Sequence, residues 1–275
     1  MGFSIITPSR NQSDWLRLCV ASVADQGVAV EHLVQDAGST DGTAEWLATD
    51  PRVKAVSEPD AGMYDGINRG LRRATGELLA YLNCDEQYLP GALAAVEQFF
   101  AAHPDVDVAF GYTVLVAANG GFLSQRKTLV PRVWHTQVEH LTTLTAATFF
   151  RRRLLANGHF FNPEFRCAGD AEWMLRLLRA GVRMAVVGGN TSVFTVTGGN
   201  LARTERMREE MQRLAAGAPW LVRRLRWGVK LHHWLRRLGG GVYFQAPFRY
   251  SLYTPASPAQ RVTHEVARPT FGWKW

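Results

Sequence analysis

The stretch GELLAYLNCDE, residues 76–86, decides the fold, because it predicts a buried strand that ends in a polar cluster. Gly76 is typical of a turn, the run 78–82 is apolar, and Asn83, Asp85 and Glu86 follow it directly. In open α/β sheets, ligands bind outside the carboxyl ends of the parallel strands. Carboxylate oxygens at such an edge suit a hard cation such as Mg²⁺ or Mn²⁺. A second interpretation is equally compatible, in which Asp85 and Glu86 begin the next helix.

The preceding residues repeat this pattern of strand, polar loop and helix. Strands are predicted at Phe3–Thr7, Glu31–Gln35 and Val53–Ser57, and each ends in a polar loop. The segments between them have the periodicity of amphipathic helices, so the alternation predicts a doubly wound, mostly parallel α/β sheet with helices on both faces. Asp36, Asp60 and Asp85 then fall at one edge of that sheet. Turns and helix caps use the same residue types, which is the alternative for any single loop.

Composition and cysteine usage limit the class of protein. With 275 residues and 47% apolar content, the chain is long enough for one large domain and an appendage. Its three cysteines (Cys19, Cys84 and Cys167) lie too far apart for a disulfide framework or a CxxC metal site, and a reducing cytosol is expected. No signal peptide is predicted at the N-terminus, and the uncharged run 184–202 is too rich in glycine for a membrane span.

The basic charge is concentrated near the C-terminus. The net charge is +7, and no Asp or Glu occurs between Met211 and His264, where nine Lys or Arg residues lie. We therefore predict a first domain at 1–200 and a basic, helical extension at 201–275. A predicted helix, Trp220–Leu238, places basic residues in a stripe beside Trp and Leu, which suits an anionic membrane surface. Alternatively, the apolar stripe packs on the first domain or on a sister subunit; no nucleic-acid-binding module is recognisable.

Three segments resemble the family 2 glycosyltransferases, in particular the bacterial branch that builds surface polysaccharides and lipopolysaccharide. They are DAGSTDGT at 36–43, EPDAGMYDGINRGLRRATGELLAYLNCDE at 58–86, and FFRRRLLANGHFFNPEFRCAGDAEWMLRL at 149–177. The resemblance covers roughly residues 1–200. It implies a GT-A fold, a nucleotide-sugar donor that is usually UDP-linked, transfer with inversion, and Mn²⁺ or Mg²⁺ as cofactor.

The same resemblance implies a set of site residues. Pro8 and Asp36 border the nucleoside, Asp60 belongs to the base and ribose pocket, and Asp85 is the metal ligand. Asn83 and Asp85 stand at the positions of the family's DXD element, with Glu86 in place of a final Asp. The donor-binding residues implied in this way are Thr7, Pro8, Ser9, Arg10, Asp36, Asp60, Gly62, Asp65, Asn68, Asn83 and Cys84. For Asp65 and Asn68, a capping network at a helix start is the alternative.

Asp170 is the expected general base, with Glu172 in reserve. The family places an acidic residue here, and an inverting transfer needs one carboxylate to take the proton of the acceptor hydroxyl. The alternative role for Asp170 is a helix N-cap. The His-Gln pair that usually precedes the Phe149 segment in relatives is absent, since residues 144–150 are Leu-Thr-Ala-Ala-Thr-Phe-Phe.

The expected protein is a metal-dependent inverting glycosyltransferase at the cytoplasmic face of the membrane. Its partners would be a nucleotide-sugar donor and a glycan or lipid-linked acceptor, without nucleic acid, and a homo-oligomer is compatible with the extension. Two alternatives belong to other classes. A nucleotidyltransferase would want a Gly- and Lys-rich loop where residues 8–11 are Pro-Ser-Arg-Asn. A non-catalytic sugar-nucleotide-binding or membrane scaffold protein is suggested by Asn83 and by the missing His-Gln pair.

Overall fold

The computed structural model describes residues 2–197 and 204–272, and within them nine strands form one mixed sheet. The strands of this sheet are β1 (Phe3–Ser9), β2 (Val30–Asp36), β3 (Lys54–Ser57), β4 (Leu78–Tyr81), β5 (Glu86–Tyr88), β6 (Val108–Ala117), β7 (Phe122–Arg126), β8 (Thr148–Arg151) and β9 (Met184–Val196). Their order is β3-β2-β1-β4-β8-β6-β9-β5, and β7 pairs with β6. Pairing is parallel from β3 to β4 and between β6 and β9, and antiparallel elsewhere.

Helices cover both faces of this sheet. In chain order they are α1 (Ser13–Ala24), α2 (Thr43–Leu47), α3 (Met63–Arg73), α4 (Ala92–Ala102), α5 (Val133–Val138), α6 (Arg153–Ala156) and α7 (Gly169–Arg179), with a 3₁₀ turn at Thr145–Ala147. The prediction of an α/β fold with helices on both faces of one sheet is confirmed. Within the two described segments, no helix is both long and apolar enough to cross a bilayer.

Alternation along the central strands produces two cores. Leu78 and Ala80 of β4 pack on one face with residues of α1 and α4, whereas Leu79 and Tyr81 pack on the other face with residues of α3 and α7. Successive side chains of a strand point to opposite faces, so a strand that is buried on both faces has a continuous apolar run. This explains the apolar stretch before Asn83.

The extension is helical only in its first part, which corrects the prediction for 201–275. Its elements are α8 (Glu205–Ala216), α9 (Trp220–Arg224), α10 (Arg226–Gly239), β10 (Phe248–Thr254) and β11 (Ser257–Val266). The predicted single helix Trp220–Leu238 is wrong, because the backbone leaves helical geometry at Leu225. The predicted boundary at 200/201 and the last three residues lie outside the described residues.

The antiparallel hairpin of β10 and β11 packs on the chain's own sheet. Tyr250 and Leu252 join a buried cluster with Val114 of β6 and Val193 of β9. Gln87 of β5 hydrogen-bonds the backbone of Tyr253 in both directions, at 2.8 and 2.9 Å. The C-terminal segment therefore packs on the body of the same chain.

A histidine cluster joins α10 to α5 and should make the extension sensitive to acid. The ring centroids of His135 and His233 lie 3.8 Å apart, and those of His135 and His140 lie 4.9 Å apart. Burial lowers the pKa of His135 to about 3 and that of His233 to about 4. Burial also lowers the pKa of His140. The charges of Arg126, Arg237 and Lys230 lower this pKa further, and the charge of Glu139 opposes them.

We expect the melting temperature to fall as the pH drops below about 6.5. Below that pH the unfolded histidines bind protons that the folded cluster does not bind, so the free energy of unfolding decreases. One fully buried histidine contributes up to about 1.4 kcal/mol per pH unit. The His233→Gln variant should flatten this dependence in calorimetric scans. His103→Gln, at an exposed position after α4, serves as the control; an equal slope for both variants would contradict the assignment.

Candidate active site

The parallel strands bring four polar loops to one edge of the sheet. Ser9, Asp36 and Ser57 are register partners at the carboxyl ends of β1, β2 and β3. The N–H of Leu82, directly after β4, donates to the carbonyl of Ile6 at 2.9 Å, so the turn at 83–86 begins beside the same edge. The predicted convergence of strand ends is therefore observed.

The turn after β4 holds Asn83, Asp85 and Glu86. Glu86 begins β5 and pairs with Phe194, so the interpretation of Asp85 and Glu86 as a helix start is wrong. Glu86 is fully buried, and its Oε2 accepts the N–H of Asn83 at 2.9 Å. Burial and the neighbouring charge of Asp85 raise the pKa of Glu86 to about 8. Glu86 thus holds the turn from its buried side, and Asn83 and Asp85 lie nearer the surface.

Asn83 and Asp85 are suited to share a cation with a phosphate. Oδ1 of Asn83 is buried and has no hydrogen-bond partner within the described residues. Burial raises the pKa of Asp85, since none of the cationic side chains described pairs with its carboxylate. Among these residues, no three His, Cys, Asp or Glu side chains are grouped to hold a metal by themselves. A divalent ion fits this turn if most of its oxygen ligands come from substrate phosphates and water, as is usual for Mg²⁺.

Asp170 lies near the same turn, at the start of α7. It is the second residue of the helix, whose N-cap is Ala168, so Asp170 is not the N-cap. Its Oδ1 accepts the N–H of Ala171 at 2.8 Å. Burial raises the pKa of Asp170 to about 6, and the charge of Asp170 in turn raises the pKa of Glu86. A carboxylate with this pKa is a better proton acceptor near neutral pH than an ordinary Asp.

Glu172 is engaged elsewhere. Its carboxylate forms an ion pair with Arg176 one turn later, with 2.7 Å between Oε1 and Nε. Arg176 also donates to the carbonyl of Phe160 at 2.6 Å. The geometry therefore favours Asp170 over Glu172 as a proton acceptor.

Tyr64 is a site residue that was not predicted from the sequence. Its hydroxyl accepts the N–H of Asp170 at 3.1 Å and lies 3.2 Å from the carbonyl oxygen of Cys167. Gly169 is required for this approach, because a Cβ there would lie 2.6 Å from the tyrosine ring. An aromatic residue at a helix start is typical of core packing, and Tyr64 is indeed buried. The only signal in the sequence was its place within GMYDGINRG.

Several predicted donor-binding residues have their side chains engaged within the protein. Thr7 is buried, and its hydroxyl lies 2.9 Å from Nε2 of His32. Asn68 holds the backbone of Phe161 in both directions, at 2.8 and 3.0 Å, so it links α3 to the segment before α7 rather than capping α3. Asp65 accepts the N–H of Ala61 at 3.0 Å and pairs with Arg69, as expected of a capping network.

The other predicted residues remain at or near the edge. Asp60 accepts the N–H of Gly62 at 2.8 Å, in the loop that leads into α3. Gly62 has a φ of 120°, which favours glycine. The remaining positions are Pro8, buried in β1; Ser9, buried at its end; Arg10, exposed in the loop that follows; and Cys84, partly buried with a free thiol.

Asp36 is expected to serve both the nucleotide and the loops that surround it. It is fully buried, and its carboxylate accepts the N–H of Ser39 at 3.0 Å and the hydroxyls of Ser39 and Ser57. We expect Asp36→Ala to weaken UDP binding with and without metal, and to cost about 1–3 kcal/mol of stability because buried donors lose their acceptor. Titration calorimetry and thermal melts measure the two effects. Ser57→Ala should affect mainly stability; a binding defect of Asp36→Ala that appears only with metal would contradict the nucleoside contact.

Solved structures with the same fold include two nucleotide-sugar complexes. The S. aureus TarS 1–349 fragment in complex with UDP-GlcNAc superposes with a TM-score of 0.62 at 21% identity, over 78% of this chain and 66% of that one. The mannosyltransferase PcManGT from Pyrobaculum calidifontis, in complex with GDP-Man and Mn²⁺, gives 0.54 at 20% identity, over 71% of this chain and 56% of that one. This chain spans less than two thirds of each.

Sequence comparison identifies the family. A PGL/p-HBAD biosynthesis glycosyltransferase of Mycobacterium bovis is 30% identical over 185 residues, which are 63% of this chain and 68% of that protein. The model of Glycosyl transferase family 2 matches residues 4–162, more than half of the chain and all four loops of the strand-end edge. The chain therefore belongs to glycosyl transferase family 2.

Proposed function

We propose that this transferase moves a sugar from a UDP-linked donor to a glycan or lipid-linked acceptor of bacterial surface polysaccharide or lipopolysaccharide, with inversion and with Mn²⁺ or Mg²⁺. The observation that carries the proposal is that three acidic residues lie close together at this edge. The buried Glu86 binds the N–H of Asn83, and the charges of Asp85 and Asp170 both raise the pKa of Glu86. The UDP-GlcNAc bound by the TarS fragment and the Mn²⁺ bound by PcManGT support the donor and the cofactor. The biosynthetic role in the name of the mycobacterial relative supports a cell-surface glycan or glycolipid product.

In the proposed mechanism, the residues of this chain orient the donor and move one proton. Asp85, with Asn83 beside it, would hold the divalent ion, which when bound offsets the negative charge of the leaving diphosphate. Asp170 accepts the proton of the acceptor hydroxyl as that oxygen attacks the anomeric carbon. The Tyr64 hydroxyl, hydrogen-bonded to the N–H of Asp170, fixes the base relative to α3 and to the donor loop, residues 58–62, which leads into α3.

A panel of donors tests the proposal. Thermal melts with UDP-sugars, GDP-sugars and free nucleotides, each with and without Mn²⁺, should show a rise for the true donor, since a ligand that binds only the folded state stabilises it. Incubation of that donor with lipid-extract or oligosaccharide acceptors, followed by NMR of the product, reports the anomeric configuration. Failure of every nucleotide sugar to stabilise the protein, or a product with retained configuration, would contradict the proposal.

We further propose that α9 and α10 hold the enzyme on an anionic membrane surface at the cytoplasmic face. The apolar stripe is not covered by the described part of the first domain: Trp220 is 67% and Trp227 66% exposed. Leu231, Trp234 and Leu238 lie on the same face of α10 as Trp227, and all are exposed. Helices with Trp and Leu beside basic residues bind the boundary between headgroups and acyl chains.

Charge around this stripe supports an anionic partner. Arg223 and Arg224 are exposed on α9, while Arg226 and Lys230 share the single carboxylate of Glu139. An apolar groove of about 760 Å³ opens between α5 and these helices and is lined by Leu221, Leu225 and Trp134, among others. It extends the apolar area from the exposed stripe onto the first domain.

Vesicle sedimentation separates a membrane from a second copy of the chain. We expect the protein to bind phosphatidylglycerol-containing vesicles and not vesicles of phosphatidylcholine alone. The Trp227→Ser variant should lose this binding. The Arg223→Gln variant should bind about fivefold more weakly, since one basic residue near such a surface contributes about 1 kcal/mol. Arg208→Gln on α8 is the control, because Arg208 is exposed but lies outside the stripe. Dimerisation that depends on Trp227, without vesicle binding, would overturn this proposal.

A further inference from the structure

Glu210 of α8 reaches back to the start of α7 and binds three consecutive backbone N–H groups. Its Oε1 accepts the N–H of Arg166 at 2.8 Å, and its Oε2 accepts those of Cys167 and Ala168 at 2.9 and 2.8 Å. Glu210 is buried, 8% exposed, and Arg206 pairs with it from the solvent side at 3.2 Å. Hydrogen bonds to an ionised carboxylate are about twice as strong as neutral ones.

The N-cap residue of α7 has no side chain that could accept these N–H groups. The first N–H groups of a helix lack partners within the helix, and a Ser, Thr, Asp or Asn at the N-cap usually accepts one of them. Here the N-cap is Ala168, and no side chain caps the helix from that position. The acceptor for its N–H comes instead from an element 42 residues later in the chain, in the basic extension.

The segment that Glu210 holds leads directly to Asp170 and also contacts the donor loop. Asp170 lies two residues after Ala168. The guanidinium of Arg166 lies against Gly62, where a Cβ would come within 2.0 Å of Nη1. One carboxylate therefore fixes the backbone from which both the base and the Arg166 side chain project.

We propose that Glu210 is a positioning residue for sugar transfer, whose carboxylate holds residues 166–168 so that Asp170 and Arg166 keep their places beside the donor loop. This inference rests on the proposed role of Asp170. It makes α8 a part of the active site, although α8 lies beyond the residues that match the family model.

Electrostatics gives the inference a readout that a purely structural role lacks. The negative charge of Glu210 adds to burial in raising the pKa of Asp170, which is about 6. Removing that charge lowers the pKa of Asp170. The acidic limb of the pH profile of kcat/KM should therefore move to lower pH.

The Glu210→Gln variant tests this. In this variant, one amide oxygen replaces two carboxylate oxygens. The NH₂ group then faces a backbone N–H and cannot accept a hydrogen bond from it. We expect kcat to fall up to about 100-fold, because displacement of a reacting group by about 1 Å can lower the rate by that much. The Kd for UDP should be unchanged, and the acidic limb of the pH profile should lie at lower pH. Glu210→Asp keeps the charge but is one methylene shorter, so it should lose kcat without the shift of the limb.

Glu209→Gln is the matched control, since Glu209 is the preceding residue of α8 and is exposed. Parent-like kcat and pH profile in Glu210→Gln, or the same small effects as in Glu209→Gln, would overturn the inference. So would loss of folding in both Glu210 variants, which would show that the residue serves stability. If the parent itself transfers no sugar, the proposed function fails; if it does and the Glu210 variants match it, this inference alone fails.

Discussion

Replacing Asp170 by Asn is expected to lower turnover by about 10²–10⁴-fold, because general-base assistance contributes that much to rate. The affinity for UDP and Mn²⁺ should stay close to that of the parent, because Asp170 serves the acceptor side. Folding should also survive. The Asn side chain has nearly the same shape, and its Oδ1 can still accept the N–H of Ala171, as Asp170 does at 2.8 Å.

Turnover and melting temperature measured on the same preparation decide the role of Asp170. Glu172→Gln is the control, because Glu172 lies two residues along the same helix turn but is paired with Arg176. It should lose a little stability and keep most of the activity. Full turnover in Asp170→Asn together with a large loss in Glu172→Gln would move the base to Glu172.

The pH profile provides a second check on the same residue. Burial raises the pKa of Asp170 to about 6, so the carboxylate is ionised above that pH and protonated below it. A base must be ionised to accept a proton, and the parent's kcat/KM should therefore fall as the pH drops through about 6. That limb should disappear from the residual activity of Asp170→Asn.

Local patterns in the sequence were sufficient to predict the strand-end edge. An apolar run that stops at Asn83, and loops that begin at Pro8 and Asp36, mark strand ends because side-chain polarity changes there. Parallel pairing then brings these loops together without any long-range information. For the same reason, the segments between the predicted strands were expected to be amphipathic helices, and α1, α2 and α3 lie in them.

Contacts between distant segments could not be predicted in this way. Glu210 has the pattern of an exposed residue in a charged helix, and only the packing of α8 against residues 166–168 buries it. Thr7 ends the predicted strand, as a ligand contact would, but β1 continues to Ser9 and the Thr7 hydroxyl contacts His32 of the neighbouring strand. The break at Leu225 was not predicted either, and α9 and α10 on its two sides both contact α5.

Replacing Asp85 by Ala is expected to abolish metal-dependent binding of the donor while the fold survives. Asp85 has no cationic partner among the described residues, and burial already disfavours its charge. Removing the carboxylate therefore costs the metal-free protein little or no stability. In the parent, Mn²⁺ and UDP together should raise the melting temperature well above the rise with UDP alone; in Asp85→Ala the two rises should be equal.

A carboxylate elsewhere on the chain provides the comparison. Asp105 is exposed, paired with Arg183, and precedes β6, so Asp105→Ala should bind Mn²⁺ and UDP as the parent does. Asn83 cannot replace Asp85, because a neutral amide oxygen binds a divalent ion more weakly than a carboxylate does. Glu86 cannot replace it either, because Glu86 is buried beneath the turn and its Oε2 accepts the N–H of Asn83. Binding of Mn²⁺ and UDP by Asp85→Ala at parental affinity would therefore mean that the ion is held away from this strand end, and the assignment of the turn at 83–86 would be wrong.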